Sequence, residues 1–215
     1  MAGESEKTTA IVFDFGGVLM DWNPRYLFRK FFGDDRDAME RFLLEIGFAE
    51  WNSRLDKGLP FAEGVAELSG RFPAYRHLIE AFDRRWEETL AGPIHPTVEI
   101  LARLKDSGYP LYGLSNWSVD KFAAVRRKYE FFAWFERIVL SGEVGLAKPD
   151  PGIFAVFLDR IGRRADECLF IDDSARNIAA AKGLGFRTIH YQSPAQLRGE
   201  MARMGLIARE AETGQ

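Results

Sequence analysis

The sequence has few of the features that mark secreted, membrane-bound or nucleic-acid-binding proteins. Cys168 is its only cysteine, which excludes an internal disulfide and a cluster of thiolate ligands. No apolar run approaches the roughly 20 residues that a membrane-spanning helix needs. Acidic and basic residues are interleaved, with a formal net charge of -3, so no basic block offers a surface for nucleic acid. We therefore expect a cytoplasmic protein that binds neither membranes nor nucleic acid.

The sequence does have enough apolar residues for a full core. Its 215 residues are 47% hydrophobic, which suffices for one domain or for one domain with an insert. Aromatic residues make up 13% of the chain and 18 of them are Phe, so rings are expected to fill the core. Residues 1–9 and 206–215 are expected to be loose termini.

A buried strand is predicted at residues 11–13, where three apolar residues lead into Asp14 and two glycines. This is how a buried parallel strand ends in a tight turn. Ligands of open α/β sheets bind at the carboxyl ends of the strands, so Asp14 is a candidate nucleophile or metal ligand. An ordinary turn aspartate explains this stretch equally well when it is considered alone.

Two further candidate sites are polar: one follows a predicted strand, and the other precedes a predicted helix. The apolar run 109–114 leads to Ser115 and Asn116, whose side chains suit either a helix N-cap or one oxygen of a phosphate group. Lys148 stands before Pro149, just ahead of a helix predicted to be capped by Asp150. A lysine there is either solvated or a positioned cation that can meet phosphate.

The adjacent acids Asp172 and Asp173 are the most informative pair in the chain. They end a predicted strand at residues 167–171, where neighbouring carboxylates repel each other unless a cation or a shared proton offsets the repulsion. Oxygen ligands of this kind suit Mg²⁺. A helix N-terminus also favours acids, but it accounts for one aspartate better than for two. The pair therefore predicts a Mg²⁺ site.

The segment between the first two sites is helical in pattern. Its apolar residues repeat at helical spacing, and glycines and prolines divide it into four or five short helices. A segment of about 70 residues is longer than a crossover between parallel strands requires. We expect an inserted helical cap at residues 22–92, entered through a turn at 20–24 and left through a hinge at 91–93. Residues 10–21 and 93–205 are then predicted to form an α/β core with a doubly wound parallel sheet.

Taken together, the candidate sites form an ordered set: Asp14, Ser115-Asn116, Lys148-Pro149 and Asp172-Asp173. This set resembles the four motifs of the haloacid dehalogenase-like (HAD) hydrolase superfamily, and the resemblance spans about residues 10–192. It implies a Rossmann-like core with a helical cap between the first two motifs. It also implies a Mg²⁺-dependent phosphatase that acts on a small phosphorylated metabolite, such as a sugar phosphate, as a monomer or homodimer.

The resemblance further assigns a role to each site. Asp14 would attack phosphorus to form an aspartyl-phosphate. Ser115 and Asn116 would contact the transferring group, and Lys148 would neutralise it and pair with Asp14. Asp14, Ser115 and Lys148 are then the catalytic residues. The metal ligands implied by the family are Asp14, the backbone carbonyl of Gly16, Asp173, and Asp172 beside it or acting through water.

Two positions depart from the usual phosphatase pattern. Typical members carry a general-acid aspartate two residues after the nucleophile, where this chain has Gly16. Some sugar-phosphate phosphatases of the family resemble this chain in having glycine there. The acid for the leaving group is therefore unassigned, and Asp21 or a cap residue could supply the proton. Val18 stands where many members have threonine.

Three functions are consistent with the sequence. The first is the phosphatase, and the second is a metal-free 2-haloacid dehalogenase, in which the same aspartate displaces halide from carbon. Such dehalogenases carry Ser-Ser-Asn-x-x-Asp where this chain has residues 172–177, so the acids here favour the phosphatase. The third is a catalytically silent regulatory protein, favoured only by Gly16. We expect the cap to set substrate choice, with Trp22, Trp51 and Arg54 as candidates facing the site.

Overall fold

The computed structural model describes residues 10–208. Its strands are β1 Ala10–Phe13, β2 Met20–Trp22, β3 Leu90–Pro93, β4 Leu111–Ser115, β5 Arg137–Leu140, β6 Cys168–Asp172 and β7 Arg187–His190. Five of them form one sheet in the order β5-β4-β1-β6-β7, and every neighbouring pair in it is parallel. This confirms the α/β fold with a parallel sheet that the sequence predicts.

Helices lie in every connection between consecutive strands of the described chain except that from β1 to β2. They are α1 Pro24–Phe32, α2 Arg36–Glu45, α3 Phe48–Asp56, α4 Phe61–Arg71, α5 Arg76–Arg84, α6 His95–Asp106, α7 Val119–Arg126, α8 Ser141–Val144, α9 Pro151–Ile161, α10 Ala175–Gly183 and α11 Pro194–Arg203. The first five lie between β2 and β3, where the sequence predicts the helical cap. The short helix α8 follows β5 directly. No helix within residues 10–208 has the length and apolarity to cross a membrane.

The central strand β1 is buried on both faces of the sheet. Ile11 and Phe13 belong to a large apolar cluster that continues into the helices between β2 and β3. Ala10 and Val12 belong to a second cluster, which contains buried residues of α9 and α10. Burial on both faces explains why this strand is an unbroken apolar run, since neither face offers a place for a polar side chain.

The connections to the helical segment differ from the sequence analysis. Residues 20–24 were expected to form a turn and residues 91–93 a hinge, but β2 and β3 pair as an antiparallel ribbon, with Met20 opposite Pro93 and Asp21 opposite Gly92. The ribbon forms because the helical segment brings its two ends together. Helix α1 begins within the expected turn, with Asn23 capping the helix and Pro24 as its first residue.

The predicted loose termini lie mostly outside the described residues. Of residues 1–9 and 206–215, only 206–208 are described. Leu206 and Ile207 are each 7% exposed and pack in the large apolar cluster rather than standing free. Transfer of such side chains out of water is favourable, which explains why the chain remains packed beyond α11.

A cluster of aromatic rings fixes the turn after β1. The Phe15 ring packs edge to face against Phe132 and Phe135, with ring centroids 5.1 and 5.3 Å away, and stacks on Phe122 at 5.6 Å. It also lies against the backbone of Gly113 on β4, where an added Cβ would be 2.3 Å from Phe15 Cζ. The rings therefore hold the residue that directly follows Asp14.

Gly113→Ala is expected to lower the free energy of unfolding by about 1–3 kcal/mol, because the new methyl group would overlap a buried ring that has little room to move. Gly70→Ala is the matched control, since a Cβ there meets nothing within 4 Å in helix α4. It should be neutral or stabilising by up to about 1 kcal/mol. Urea unfolding measures both, and unchanged stability of Gly113→Ala would contradict the packing around Phe15.

Candidate active site

Four polar side chains converge at the carboxyl edge of the sheet. Asp14 follows β1, while Ser115 and Asp172 end its two neighbours, β4 and β6. Lys148 arrives from the loop before α9. All four residues are at most 8% exposed. The sheet thus brings together residues that are far apart in sequence, because the carboxyl ends of adjacent parallel strands share one edge.

The ammonium group of Lys148 lies at the centre of this set. Its Nζ is 3.0 Å from Asp14 Oδ1 and 2.7 Å from Asp172 Oδ2, and it donates to the carbonyl oxygen of Leu114 at 2.7 Å. These three acceptors match the three donors of an ammonium group. Burial by itself would lower the pKa of Lys148, but the Asp14 and Asp172 carboxylates raise it above its ordinary value. Lys148 is therefore a fixed buried cation.

The Asp14 carboxylate is held through one oxygen. Ser115 Oγ and the backbone N–H of Phe15 each donate to Oδ1 at 2.7 Å, the same oxygen that meets Lys148. Among the described residues no hydrogen bond engages Oδ2, which leaves it available as a nucleophile or ligand. Burial raises the pKa of Asp14 to about 7, with Lys148 opposing the rise and the Asp172 charge adding to it.

Asn116 positions the backbone of Lys148. Its Nδ2 donates to the Lys148 carbonyl oxygen at 2.9 Å, and its Oδ1 accepts from the Lys148 N–H at 2.8 Å. Both ends of the carboxamide are therefore engaged by the chain itself. The contact between Asn116 and the transferring group that the resemblance implies stays a prediction. The structure adds that Asn116 orients the loop that carries the cation.

Asp172 is the fully buried member of the acidic pair. Besides meeting Lys148, its Oδ1 accepts from the Ser174 N–H at 2.8 Å and from Asn177 Nδ2 at 3.0 Å. These donors satisfy the carboxylate on several sides, as a buried charge requires. Asp172 is thus fixed in place by the chain that follows it.

Asp173 is exposed and lies against the turn after the nucleophile. A Cβ added at Gly17 would be 2.3 Å from Asp173 Oδ2, and Gly17 has a φ of +74°. Glycine is therefore needed at position 17 both for the backbone conformation and for the approach of this carboxylate. Its surroundings shield the carboxyl group partly from water, and this partial desolvation, followed by the charge of the neighbouring Asp172, raises the pKa of Asp173.

The three acids fit a magnesium ion. Oxygen atoms of Asp14, Asp172 and Asp173 all lie within 4.8 Å of one another. Mg²⁺ prefers such oxygen ligands, and its charge would offset the mutual repulsion of three neighbouring carboxylates. Gly16, whose carbonyl is predicted to complete the set, lies two residues after Asp14. The assignment of individual ligands stays a prediction.

A cavity of about 70 Å³ separates this edge from the helical segment. Its lining combines both parts of the chain: Gly16, Trp22, Asn52, Asp56, Trp86, Asn116 and Trp117. Of the three predicted cap residues, only Trp22 lines it within the described chain. Trp51 is buried and donates from Nε1 to the carbonyl oxygen of Gly64 at 3.0 Å. Arg54 pairs with Glu67 on the surface, at 2.8 Å.

Asn52 and Asp56 were missed by the sequence analysis. They lie four residues apart on the polar side of α3, whose other side buries Phe48 and Leu55, and this i, i+4 spacing is the signal that could have found them. Asn52 Nδ2 donates to Asp56 Oδ2 at 2.8 Å. Burial, with the charge of Asp14 as a second cause, raises the pKa of Asp56 to about 8.

The family follows from a comparison with known proteins. The model of the haloacid dehalogenase-like hydrolases matches residues 8–185. The chain belongs to this family. It is therefore an enzyme of the hydrolase class, and the convergent residues Asp14, Ser115, Lys148 and Asp172 are those on which the resemblance was based.

Relatives in the HAD family include phosphatases and a dehalogenase. D-ribitol-5-phosphate phosphatase from Bacteroides thetaiotaomicron is 26% identical over 215 residues, covering 89% of this chain and 95% of the relative. A HAD family enzyme from the same organism, solved with magnesium and inorganic phosphate, is 26% identical with a TM-score of 0.65, covering 86% of this chain and 94% of that one. (S)-2-haloacid dehalogenase 4A from Burkholderia cepacia is 26% identical over 142 residues, which is 66% of this chain and 59% of the relative.

Some relatives are much longer than the region they share with this HAD hydrolase. The chain spans 19% of drimenol cyclase from Aspergillus calidoustus and 36% of bifunctional epoxide hydrolase 2 from Sus scrofa. The likeness to these two proteins therefore covers only one part of each.

Lys148→Met is expected to lower the free energy of unfolding by about 3–5 kcal/mol above neutral pH, because it leaves two buried carboxylates without their cation. Burial already raises the pKa of Asp14 to about 7, and loss of the cation raises it further. The deficit should therefore shrink as the pH falls, because a protonated carboxyl needs no cation. Urea unfolding without Mg²⁺ at several pH values measures this loss in the free energy of unfolding.

The control for this variant is Lys182→Met, an exposed lysine in α10, which should change stability by less than about 0.5 kcal/mol. If Lys148→Met were as stable as the parent above neutral pH, the buried ion pairs would not be the stabilising contacts described here.

Proposed function

We propose that this hydrolase is a Mg²⁺-dependent phosphatase that releases phosphate from a small phosphorylated metabolite through an aspartyl-phosphate at Asp14. The observation that supports it best is the charge arrangement: Lys148 lies between two carboxylates, and a third carboxylate, that of Asp173, stands beside them. Phosphoryl transfer depends mainly on alignment and on neutralising negative charge. A metal-free dehalogenase does not need two adjacent acids beside its nucleophile.

The side chains present can carry both half-reactions. Asp14 Oδ2 attacks phosphorus, the bond from phosphorus to the leaving oxygen breaks, and the aspartyl-phosphate forms. As the Asp14 carboxylate becomes the mixed anhydride and loses its charge, Ser115 and Lys148 exchange their hydrogen bonds to Asp14 Oδ1 for hydrogen bonds to phosphoryl oxygens. Asn116 keeps the Lys148 backbone in place. Water then attacks phosphorus, which frees inorganic phosphate and restores Asp14. Mg²⁺, when bound by Asp14, Asp172, Asp173 and the Gly16 carbonyl, supplies additional positive charge at the phosphoryl group.

The helical segment is proposed to select the leaving group. Phosphate occupies the core side of the small cavity, so the rest of the substrate must lie against the segment. A larger groove of about 640 Å³ between α1, α2 and α3 shares Trp22 and Asn52 with that cavity. The ribitol-phosphate phosphatase named above supports a small polyol or sugar phosphate as the substrate class.

Hydrolysis across a panel of sugar, polyol and aryl phosphates is expected to require Mg²⁺ and to stop in excess EDTA, because Asp14, Asp172 and Asp173 need a cation to coexist as anions. Phosphate release is the measurement, and recovery on adding Mg²⁺ is the control. Undiminished release in EDTA would contradict the metal requirement. Chloride release from 2-chloropropionate in EDTA would instead favour the dehalogenase, the function of one relative.

Asp14→Asn is expected to reduce turnover by on the order of 10⁴-fold or more, because an amide cannot form the aspartyl-phosphate. The fold should persist, since asparagine has the same shape and can still accept from Ser115. Circular dichroism serves as the folding control. Beryllium fluoride, a mimic of an acyl-phosphate, should bind the parent and not the variant. Normal rates in the variant would eliminate covalent catalysis through Asp14.

A further inference from the structure

The proposed phosphatase reaction, on which this inference rests, leaves one proton unaccounted for. The leaving oxygen of an alkyl phosphate departs as a strongly basic alkoxide unless an acid protonates it. Gly16, two residues after the nucleophile, has no side chain to do so. A Cβ at Gly16 would meet nothing within 4 Å, so the space that an acid could occupy there is open.

One carboxyl group of the helical segment borders the cavity that Gly16 also lines. Asp56, the last residue of α3, lines the same small cavity as Gly16 and Asn116. Asn52 donates to its Oδ2, while no hydrogen bond from the described residues engages its Oδ1. The second oxygen is therefore free to meet the substrate.

The surrounding contacts fix Asp56 over the sheet edge. Its backbone carbonyl accepts from the hydroxyl of Ser141, which in turn accepts from the Trp117 N–H at 2.9 Å. Two residues further on, an added Cβ at Gly58 would be 2.9 Å from the carbonyl oxygen of Gly142. The end of α3 thus packs directly on the start of α8, which is hydrogen-bonded in turn to the loop that follows β4.

The other candidate acid from the sequence is engaged elsewhere. Both oxygens of Asp21 accept from the hydroxyl of Tyr26 at 3.0 Å, and Asp21 does not line the cavity in the described structure. Asp172 is bound to Lys148, and Asp173 belongs to the predicted metal site. Among the described residues lining the cavity, Asp56 is the one carboxylic acid.

We propose that Asp56 is the general acid of this enzyme, supplied by the helical segment in place of the missing side chain at position 16. As the phosphorus–oxygen bond breaks, its electron pair goes to the leaving oxygen, which takes the Asp56 proton and departs as a neutral alcohol. The Asp56 carboxylate then accepts a proton from the water that attacks the aspartyl-phosphate, which restores the acid. The raised pKa of Asp56, due mainly to burial, agrees with this role.

The test compares leaving groups in Asp56→Asn. Hydrolysis of glycerol phosphate, whose alkoxide needs a proton, should fall by about 10²–10⁴-fold, while hydrolysis of p-nitrophenyl phosphate should fall by less than about tenfold. A plot of log kcat/KM against leaving-group pKa should therefore be steeper in the variant than in the parent. Asp34→Asn, an exposed aspartate in the turn between α1 and α2, is the matched control and should leave the plot unchanged.

A second variant separates chemistry from folding. Because the space at Gly16 is open and its φ is not positive, Gly16→Asp can be added to Asp56→Asn without a steric clash. It should restore glycerol phosphate hydrolysis at least tenfold, which a purely structural role of Asp56 does not explain. Equal losses on both substrates, no loss on either, or no rescue would overturn the assignment.

The proposed function has its own readout in the same experiment. Asp14→Asn must abolish hydrolysis of p-nitrophenyl phosphate, and retained hydrolysis there would count against the aspartyl-phosphate mechanism. If only the slope of log kcat/KM against leaving-group pKa changes, while turnover of p-nitrophenyl phosphate is retained, the result concerns the assignment of Asp56 and not the aspartyl-phosphate mechanism.

Discussion

The buried lysine between two carboxylates is the interaction on which the site depends. A carboxylate removed from water costs several kcal/mol unless a cation and hydrogen bonds compensate it. Lys148 lies within 3.0 Å of both Asp14 and Asp172, so it compensates two such charges at once. An unrestrained lysine side chain would favour solvent, because ordering it costs conformational entropy. The Asn116 clamp on its backbone and the Leu114 carbonyl on its ammonium group remove that freedom.

In the proposed mechanism, the helical segment and the sheet edge contribute different parts of the chemistry. Charge neutralisation comes from residues on or beside the sheet, whose positions are set by strand pairing and by the rings around Phe15. Proton donation, with Asp56 as the acid, comes from the end of α3 and depends on its contact with Ser141. Any movement of α3 away from the sheet edge would remove the acid without disturbing the nucleophile. This arrangement explains how glycine is tolerated at position 16.

Sequence reasoning failed mainly where the decisive contact joins distant segments. Residues 20–22 are too few to show the alternation typical of a strand, and their partner strand begins at Leu90. The sequence pattern of the two segments therefore indicates a turn and a hinge rather than a paired ribbon. Trp51 and Arg54 were chosen by residue type, but the rotation of α3 turns Trp51 into the packed interior and Arg54 toward Glu67. The polar residues that reach the cavity, Asn52 and Asp56, are of ordinary helix-surface type.

The sequence by itself determined the fold class and was enough to select Asp14, Ser115, Lys148 and the two adjacent acids as candidate site residues. Each of them stands beside an apolar strand or a helix start, and local periodicity encodes those elements directly. Only the tertiary structure decided that Asn116 binds the Lys148 backbone, that Lys148 lies between Asp14 and Asp172, and that Asp56 borders the space at Gly16. The reason is physical: a local pattern specifies whether a residue is buried and in which element, whereas distances between side chains of separate elements depend on how the whole chain packs.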